Sequence, residues 1–115
     1  MKQILTNEKM DIKFIKELIT KSLEMFNISI FKIILFGSRA RKDFTEDSDW
    51  DFLIILNNAI TRNEKKAISH QIRKDLAEYD MVCDVLLKTK QEVIQLKKRV
   101  VSTTKTAIEE GIQIT

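Results

Sequence analysis

Asp49 and Asp51 stand one residue apart at the edge of the apolar run "FLIIL", and ten residues separate the Gly37-Ser38 pair from the first of them. Side chains two apart on a strand share a face, so the two carboxylates point the same way and Trp50 points to the other. Converging carboxylates repel unless positive charge lies between them. Mg²⁺ is a natural partner, because it takes one or two carboxylates together with substrate phosphates and water. Gly37 lets the backbone approach a ligand closely, and Ser38 offers a hydroxyl and an N–H at the start of a short helical turn. Arg39, Arg41 and Lys42 add donors that suit phosphate charge, although arginines on such a turn also serve simply as a solvated face. Asp84 lies inside "MVCDVLL", where an unpaired charge is costly and a buried position is expected. It is either a third carboxylate of the same site or a structural aspartate paired with a nearby Arg or Lys. The set suits a metal-bound nucleoside triphosphate.

Those residues need elements to hold them. Ile12, Ile15, Ile19, Leu23 and Phe26 recur at helical spacing over residues 8–26, with Asn7 placed to cap the start. Residues 30–36 and 50–56 are short, β-branched and aromatic, and read as buried strands. Between them, 38–42 form a helical turn and 43–48 a polar loop. Thr61 and Glu64 have capping-box spacing ahead of a second amphipathic helix running to Tyr79, and 81–87 is a third strand. Thr89 and Glu92 repeat the box before Val93, Leu96 and Val100. A further helical piece covers 103–110, Gly111 caps it, and "IQIT" forms a short edge strand.

The order helix, strand, strand, helix, strand, helix predicts an α/β (α+β) chain, with a small mixed β-sheet and helices packed on it. Strand 50–56, helix 61–79 and strand 81–87 make a right-handed crossover, so those strands run parallel. The connection from 36 to 50 is too short for another crossover, and the first two strands pair antiparallel. That pairing carries Gly37-Ser38 and Asp49-Asp51 to the same end of the sheet, with Asp84 on the neighbouring strand.

Composition narrows the rest. A chain of 115 residues with 43% hydrophobic content is expected to form a single domain over 1–115. Twenty Lys and Arg against seventeen Asp and Glu leave +3, too mild to announce a nucleic-acid binder, and the basic clusters at 62–66 and 97–99 lack interleaved aromatics. One cysteine, Cys83, sits in an apolar run and is expected in the core of a cytoplasmic protein. No signal peptide or membrane span is discernible. His70 has no partner at metal-ligand spacing and reads as a surface residue. "DSDWD" begins like a calcium loop, but Phe52 stands where that loop needs glycine. "GSRARKD" lacks the P-loop spacing.

"GSRARKDFTEDSDWD" resembles the Gly-Ser, ten-residue gap, Asp-x-Asp signature of the polymerase-β-like nucleotidyltransferases. "FGSRAR…SDWDFLI" is similar to the minimal nucleotidyltransferase (MNT) group among them, and with "CDVLL" and "EEGIQI" the resemblance spans nearly the whole chain. It implies the polymerase-β-like fold, with Asp49 and Asp51 binding two Mg²⁺ ions that carry ATP phosphates. It also implies that Asp84 holds the second metal and helps activate an acceptor hydroxyl, while Gly37 and Ser38 grip the terminal phosphates. Pyrophosphate would leave and AMP would be transferred. Lys42 departs from the pattern, since many relatives carry glycine there. Small members resemble antitoxins paired with HEPN-domain toxins, some of which transfer AMP to a toxin tyrosine. A binding antitoxin that neutralises its toxin by covering it is the competing expectation, and transfer to RNA is a further one.

Overall fold

The spacing of the apolar side chains fixes a three-layer arrangement. The computed structural model describes residues 8–45, 47–99 and 101–114. In chain order these form α1 (Glu8–Glu24), β1 (Ile30–Phe36), α2 (Ser38–Arg41), β2 (Trp50–Leu56), α3 (Arg62–Ala77), β3 (Cys83–Thr89), α4 (Lys90–Lys97), α5 (Thr103–Glu110) and β4 (Ile112–Gln113). The four strands make one mixed sheet in the order β3-β2-β1-β4.

β1 and β2 run antiparallel from Ile30 opposite Leu56 to Phe36 opposite Asp51, with an irregularity between Ile30 and Lys32. β2 and β3 run parallel from Trp50 beside Cys83 to Leu56 beside Thr89. β2 is thus hydrogen-bonded on both flanks and solidly buried from Phe52 to Leu56. The period of two sorts its side chains. Phe52, Ile54 and Leu56 join Ile15, Ile19 and Leu23 of α1 and Ile68, Ile72 and Leu76 of α3 in the larger core cluster. Leu53 and Ile55 face the other way and meet Ile34, Val93 of α4 and Ala107 of α5. Removing a fully buried ring such as Phe52 to leave Ala would cost about 3–5 kcal/mol.

Capping chemistry sets the ends. Thr61 and Thr89 both form complete capping boxes, with Glu64 and Glu92 respectively. The third strand begins two residues later than its apolar run suggests, because the Met81 N–H still bonds to the Leu76 carbonyl as the helix unwinds. The strand extends to Thr89, which ends the ladder and caps α4 in one residue. Ser102 caps α5 through the Lys105 N–H, a signal that escaped the sequence reading. Gly111 does end α5, and β4 pairs antiparallel with β1 at Ile34 and Leu35. The expected cap at Asn7 and the position of Val100 lie outside the described residues. Among the described residues no helix is long and apolar enough to cross a membrane.

Candidate active site

β1 ends where β2 and β3 begin, and the residues singled out by their spacing collect at this end of the sheet. Gly37 follows β1 at φ 76° and ψ −158°, a backbone region open essentially to glycine alone. A Cβ there would run into Asp51 Oδ2 and stand 3.2 Å from Asp51 Cγ. The bare α-carbon of Gly37 is therefore what allows the Asp51 carboxylate to lie against the turn. Ser38 opens α2, whose last carbonyl-accepting turn closes when the Lys42 N–H bonds to the Ser38 carbonyl at φ 65°. Lys42 thus holds a left-handed conformation that glycine adopts without strain, a backbone reason for the glycine that the family resemblance leads one to expect there.

Asp51 lies beside Asp84 in the parallel ladder, on one face of the sheet. Partial burial raises the Asp51 pKa, and the charges of Asp84 and then Asp49 raise it further, against a smaller opposing pull from Arg41. The three carboxylates are close enough to feel one another. Asp84 itself is exposed, contrary to the buried position expected from its apolar neighbours. The alternation of the strand explains the difference: Cys83, Val85 and Leu87 face the α1/α3 core, while Leu86 joins the α4/α5 cluster. Asp84 shares the face of Leu86, at the end of the sheet where that face is open. Asp49 is exposed and Asp51 is half-buried.

Cys83 is buried as expected, and its thiol is pushed up to about 11, first by burial and then by Asp84, Asp49 and Asp51, with Arg73 opposing. His70 is exposed. The two arginines part company. Arg41 is exposed and pairs with Asp43, Nε to Oδ2 at 3.2 Å. Arg39 lies over two rings, its guanidinium carbon 4.4 Å from the centre of Phe44 and 4.3 Å from that of Trp50. Its Nε and Nη2 also donate to the Ser48 carbonyl, at 3.3 and 3.0 Å. Sequence spacing did not single out Phe44 or Ser48. The signal available was an aromatic on each side of the acidic loop, in a chain with few aromatics.

Among the described residues no three His, Cys, Asp or Glu side chains form a ready-made metal cage. The donor set nevertheless fits a hard cation that arrives with its phosphates: such an ion needs one or two carboxylate ligands from the protein and completes its shell with phosphate and water oxygens. Asp49 and Asp51 would supply those ligands, and the space left by the missing Cβ of Gly37 keeps the Asp51 oxygens presentable.

This arrangement is that of a nucleotidyltransferase. The chain belongs to the nucleotidyltransferase domain family, whose profile matches residues 12–112. Over 76 residues it is 34% identical to MJ0141 of Methanocaldococcus jannaschii, whose name assigns it protein adenylyltransferase activity, covering 66% of this chain and 73% of that protein. A second protein of that organism, MJ0604, named in the same way, is 51% identical over 43 residues, 37% of this chain and 43% of its own length. Two solved structures share the fold. A toxin-antitoxin crystal structure with AMP-PNP superposes with a TM-score of 0.58 at 19% identity, covering 87% of this chain and 72% of that one. The complex of tri-AMPylated Shewanella oneidensis HEPN toxin with MNT antitoxin superposes at 0.53 and 17% identity, covering 90% and 71%. The minimal-nucleotidyltransferase signature agrees with both the family and the fold.

Proposed function

We propose that this nucleotidyltransferase moves AMP from ATP onto a hydroxyl of a partner protein, most specifically a tyrosine of a HEPN-domain toxin, and thereby acts as an antitoxin. The observation that carries the reading is the bare α-carbon of Gly37 set against the Asp51 carboxylate, with Asp84 alongside in register. Glycine suits that position twice over, because the backbone is in a region closed to other residues and because the Asp51 carboxylate shares the turn that would receive the phosphates. The names of the relatives and the assemblies of the fold neighbours support the acceptor class.

Gly37 and Ser38 would hold the terminal phosphates through backbone N–H and hydroxyl donors, with Arg41 close enough to add positive charge. Asp49 and Asp51 would hold Mg²⁺, with Asp84 available to a second ion. Bound Mg²⁺ would neutralise charge on the phosphates and steady the entering and leaving oxygens. Asp84, exposed at the open end, would accept the proton of the acceptor hydroxyl as its oxygen bonds to the α-phosphorus. The bond from the α-phosphorus to the bridging oxygen breaks, and pyrophosphate leaves.

The test incubates the protein with Mg²⁺, ATP labelled on its α-phosphate and the product of the adjacent gene, with Asp49→Asn and Asp51→Asn beside the parent. Label should appear on the partner and vanish in both variants. Equal labelling by the variants would sink the metal assignment.

A second reading, a binding antitoxin, is favoured by one feature away from this site. Phe31 and Ile94, 42% and 53% exposed, line a groove of about 260 Å³ together with Lys32, Lys90 and Lys97. If the Asp49→Asn, Asp51→Asn double variant still protects cells at normal expression, binding rather than transfer neutralises the toxin. Complex formation without protection removes this second reading.

A further inference from the structure

The nucleotide-gripping turn and the metal-binding strand are separated by the polar loop that follows α2, and one side chain spans the gap. Arg39 belongs to α2, next to Ser38. Its fork donates twice to the Ser48 carbonyl, the last backbone acceptor before Asp49. Its planar face lies over Phe44 from the loop and over Trp50, the residue between the two aspartates. Trp50 is in turn stacked on the buried Phe52, with ring centres 6.3 Å apart and planes within 7° of parallel. A continuous stack therefore runs from the core through Phe52 and Trp50 to Arg39 and Phe44. The loop is closed on itself as well, since Ser48 Oγ accepts from the Thr45 N–H at 2.9 Å. Burial lowers the Arg39 pKa, in keeping with a guanidinium half-withdrawn from water.

We propose that Arg39 is a positioning residue, a strut that fixes the distance between the phosphate-gripping turn at Gly37-Ser38 and the carboxylates of Asp49 and Asp51, rather than a phosphate ligand. The proposal rests on the nucleotidyl-transfer reading for its consequence in catalysis, but its geometric content does not. Two features make arginine specific here. Only a guanidinium offers parallel donors to one carbonyl while presenting a flat face to aromatic rings, whereas lysine is a point charge on a flexible stem. A phosphate ligand can be replaced by lysine with partial retention of binding; a strut of this shape cannot.

The experiment compares the parent with Arg39→Lys and Arg39→Ala in the full chain. Trp50 is the single tryptophan, so its fluorescence reports the stack directly. Acrylamide should quench Trp50 at least about twofold more readily in both variants, because the guanidinium over the ring shields its face from the quencher. Amide exchange at Ser48 and Trp50, whose N–H groups bond to Thr45 and Val82, should accelerate in both. Mn²⁺ alone, titrated against Trp50 emission, should bind more weakly in both. In the transfer assay kcat should fall on the order of a hundredfold, the scale of an ångström's misplacement, while KM for ATP changes much less. Lysine should not rescue any of these.

Unchanged quenching and exchange in Arg39→Ala would overturn the strut. So would a rise in KM for ATP at constant kcat that Arg39→Lys restores, because that is the behaviour of a phosphate ligand. If the parent itself transfers no nucleotide, the reaction assigned to the site fails, and quenching and exchange still decide the strut. A parallel Phe52→Leu variant, which disturbs the stack from the core side, separates loss of the strut from general unfolding: its melting temperature should fall while the Ser48 amide stays protected.

Discussion

Replacing Gly37 by alanine tests the geometry of the site most directly. Gly37 holds φ 76° and ψ −158°, and an L-residue forced into that region costs about 1–3 kcal/mol. The new Cβ would also collide with Asp51 Oδ2 and stand 3.2 Å from Cγ and 3.4 Å from Cβ of the same residue. Asp51 must turn aside, and an off-rotamer side chain adds roughly 0.5–1.5 kcal/mol. Together these come to about 1.5–4.5 kcal/mol. With 115 residues the unfolding entropy is about 0.24 kcal/mol/K, so Gly37→Ala should melt about 6–19 °C below the parent. Transfer should fall on the order of a hundredfold, because the displaced carboxylate is one of the two proposed to hold Mg²⁺. The collision separates from the backbone strain in a double-mutant cycle. In an Asp51→Ala background only the backbone cost remains, so the coupling between the two changes should be about 0.5–1.5 kcal/mol. Melting curves by circular dichroism and the labelled-ATP assay read both quantities. A Gly37→Ala protein that melts within about 2 °C of the parent and transfers at the parental rate would refute the reasoning.

Further outcomes are expected elsewhere. Because burial, Asp84 and Asp49 raise the Asp51 pKa, the folded state binds that proton more tightly than the unfolded chain. Ionised Asp51 therefore destabilises the metal-free fold above its raised pKa, and Asp51→Asn should raise the melting temperature at pH 7 while abolishing transfer; a lower melting temperature contradicts this. Cys83, pushed up to about 11, should react slowly with a thiol reagent at pH 8, and the rate in the folded protein should keep rising beyond pH 9. Burial alone would raise the Glu92 carboxyl, but hydrogen bonds from Lys65 and the Thr89 N–H, with the charges of Lys65 and Lys88, hold it below its ordinary value. Its contribution is present at neutral pH and lost as pH falls through the depressed folded value, so Glu92→Gln should cost stability at pH 7 and converge on the parent under acid titration. Gly111→Ala would place a Cβ against the Ala107 carbonyl and Ile34, and 2.9 Å from the Leu35 carbonyl, and should release β4 from β1, seen as faster amide exchange at Ile114.

Much of this was legible because local signals agreed with the tertiary arrangement. The β-branched runs, two capping boxes and the short connection after Phe36 were enough to place β1 against β2 and to bring Gly37 near Asp51. The burial of Asp84 was misjudged because an apolar neighbourhood in sequence is a two-sided neighbourhood in a strand: Cys83 and Val85 face the core, and Asp84 faces the open end. The role of Arg39 was out of reach for a related reason. Its partners, Phe44, Ser48 and Trp50, meet it only once the loop has folded back, and no spacing rule encodes such a closure. The late start of β3 came from the unwinding of α3, a hydrogen-bonding detail below the resolution of hydrophobic pattern.

The two halves of the site rest on ground of different firmness. Asp51 rides on β2, which is laddered on both sides and buried from Phe52 onward. Ser38 rides on a helix of four residues with no buried side chain. Elements of the first kind open only with global unfolding, and those of the second open locally at little cost. In mild denaturant the turn proposed to grip phosphate should therefore loosen while the carboxylate strand stands, leaving a protein that remains folded around its acidic edge. The order of that dismantling is written into which strand neighbours which, and the contacts of Arg39 with Ser48 and Trp50 are what tie the weaker half to the stronger.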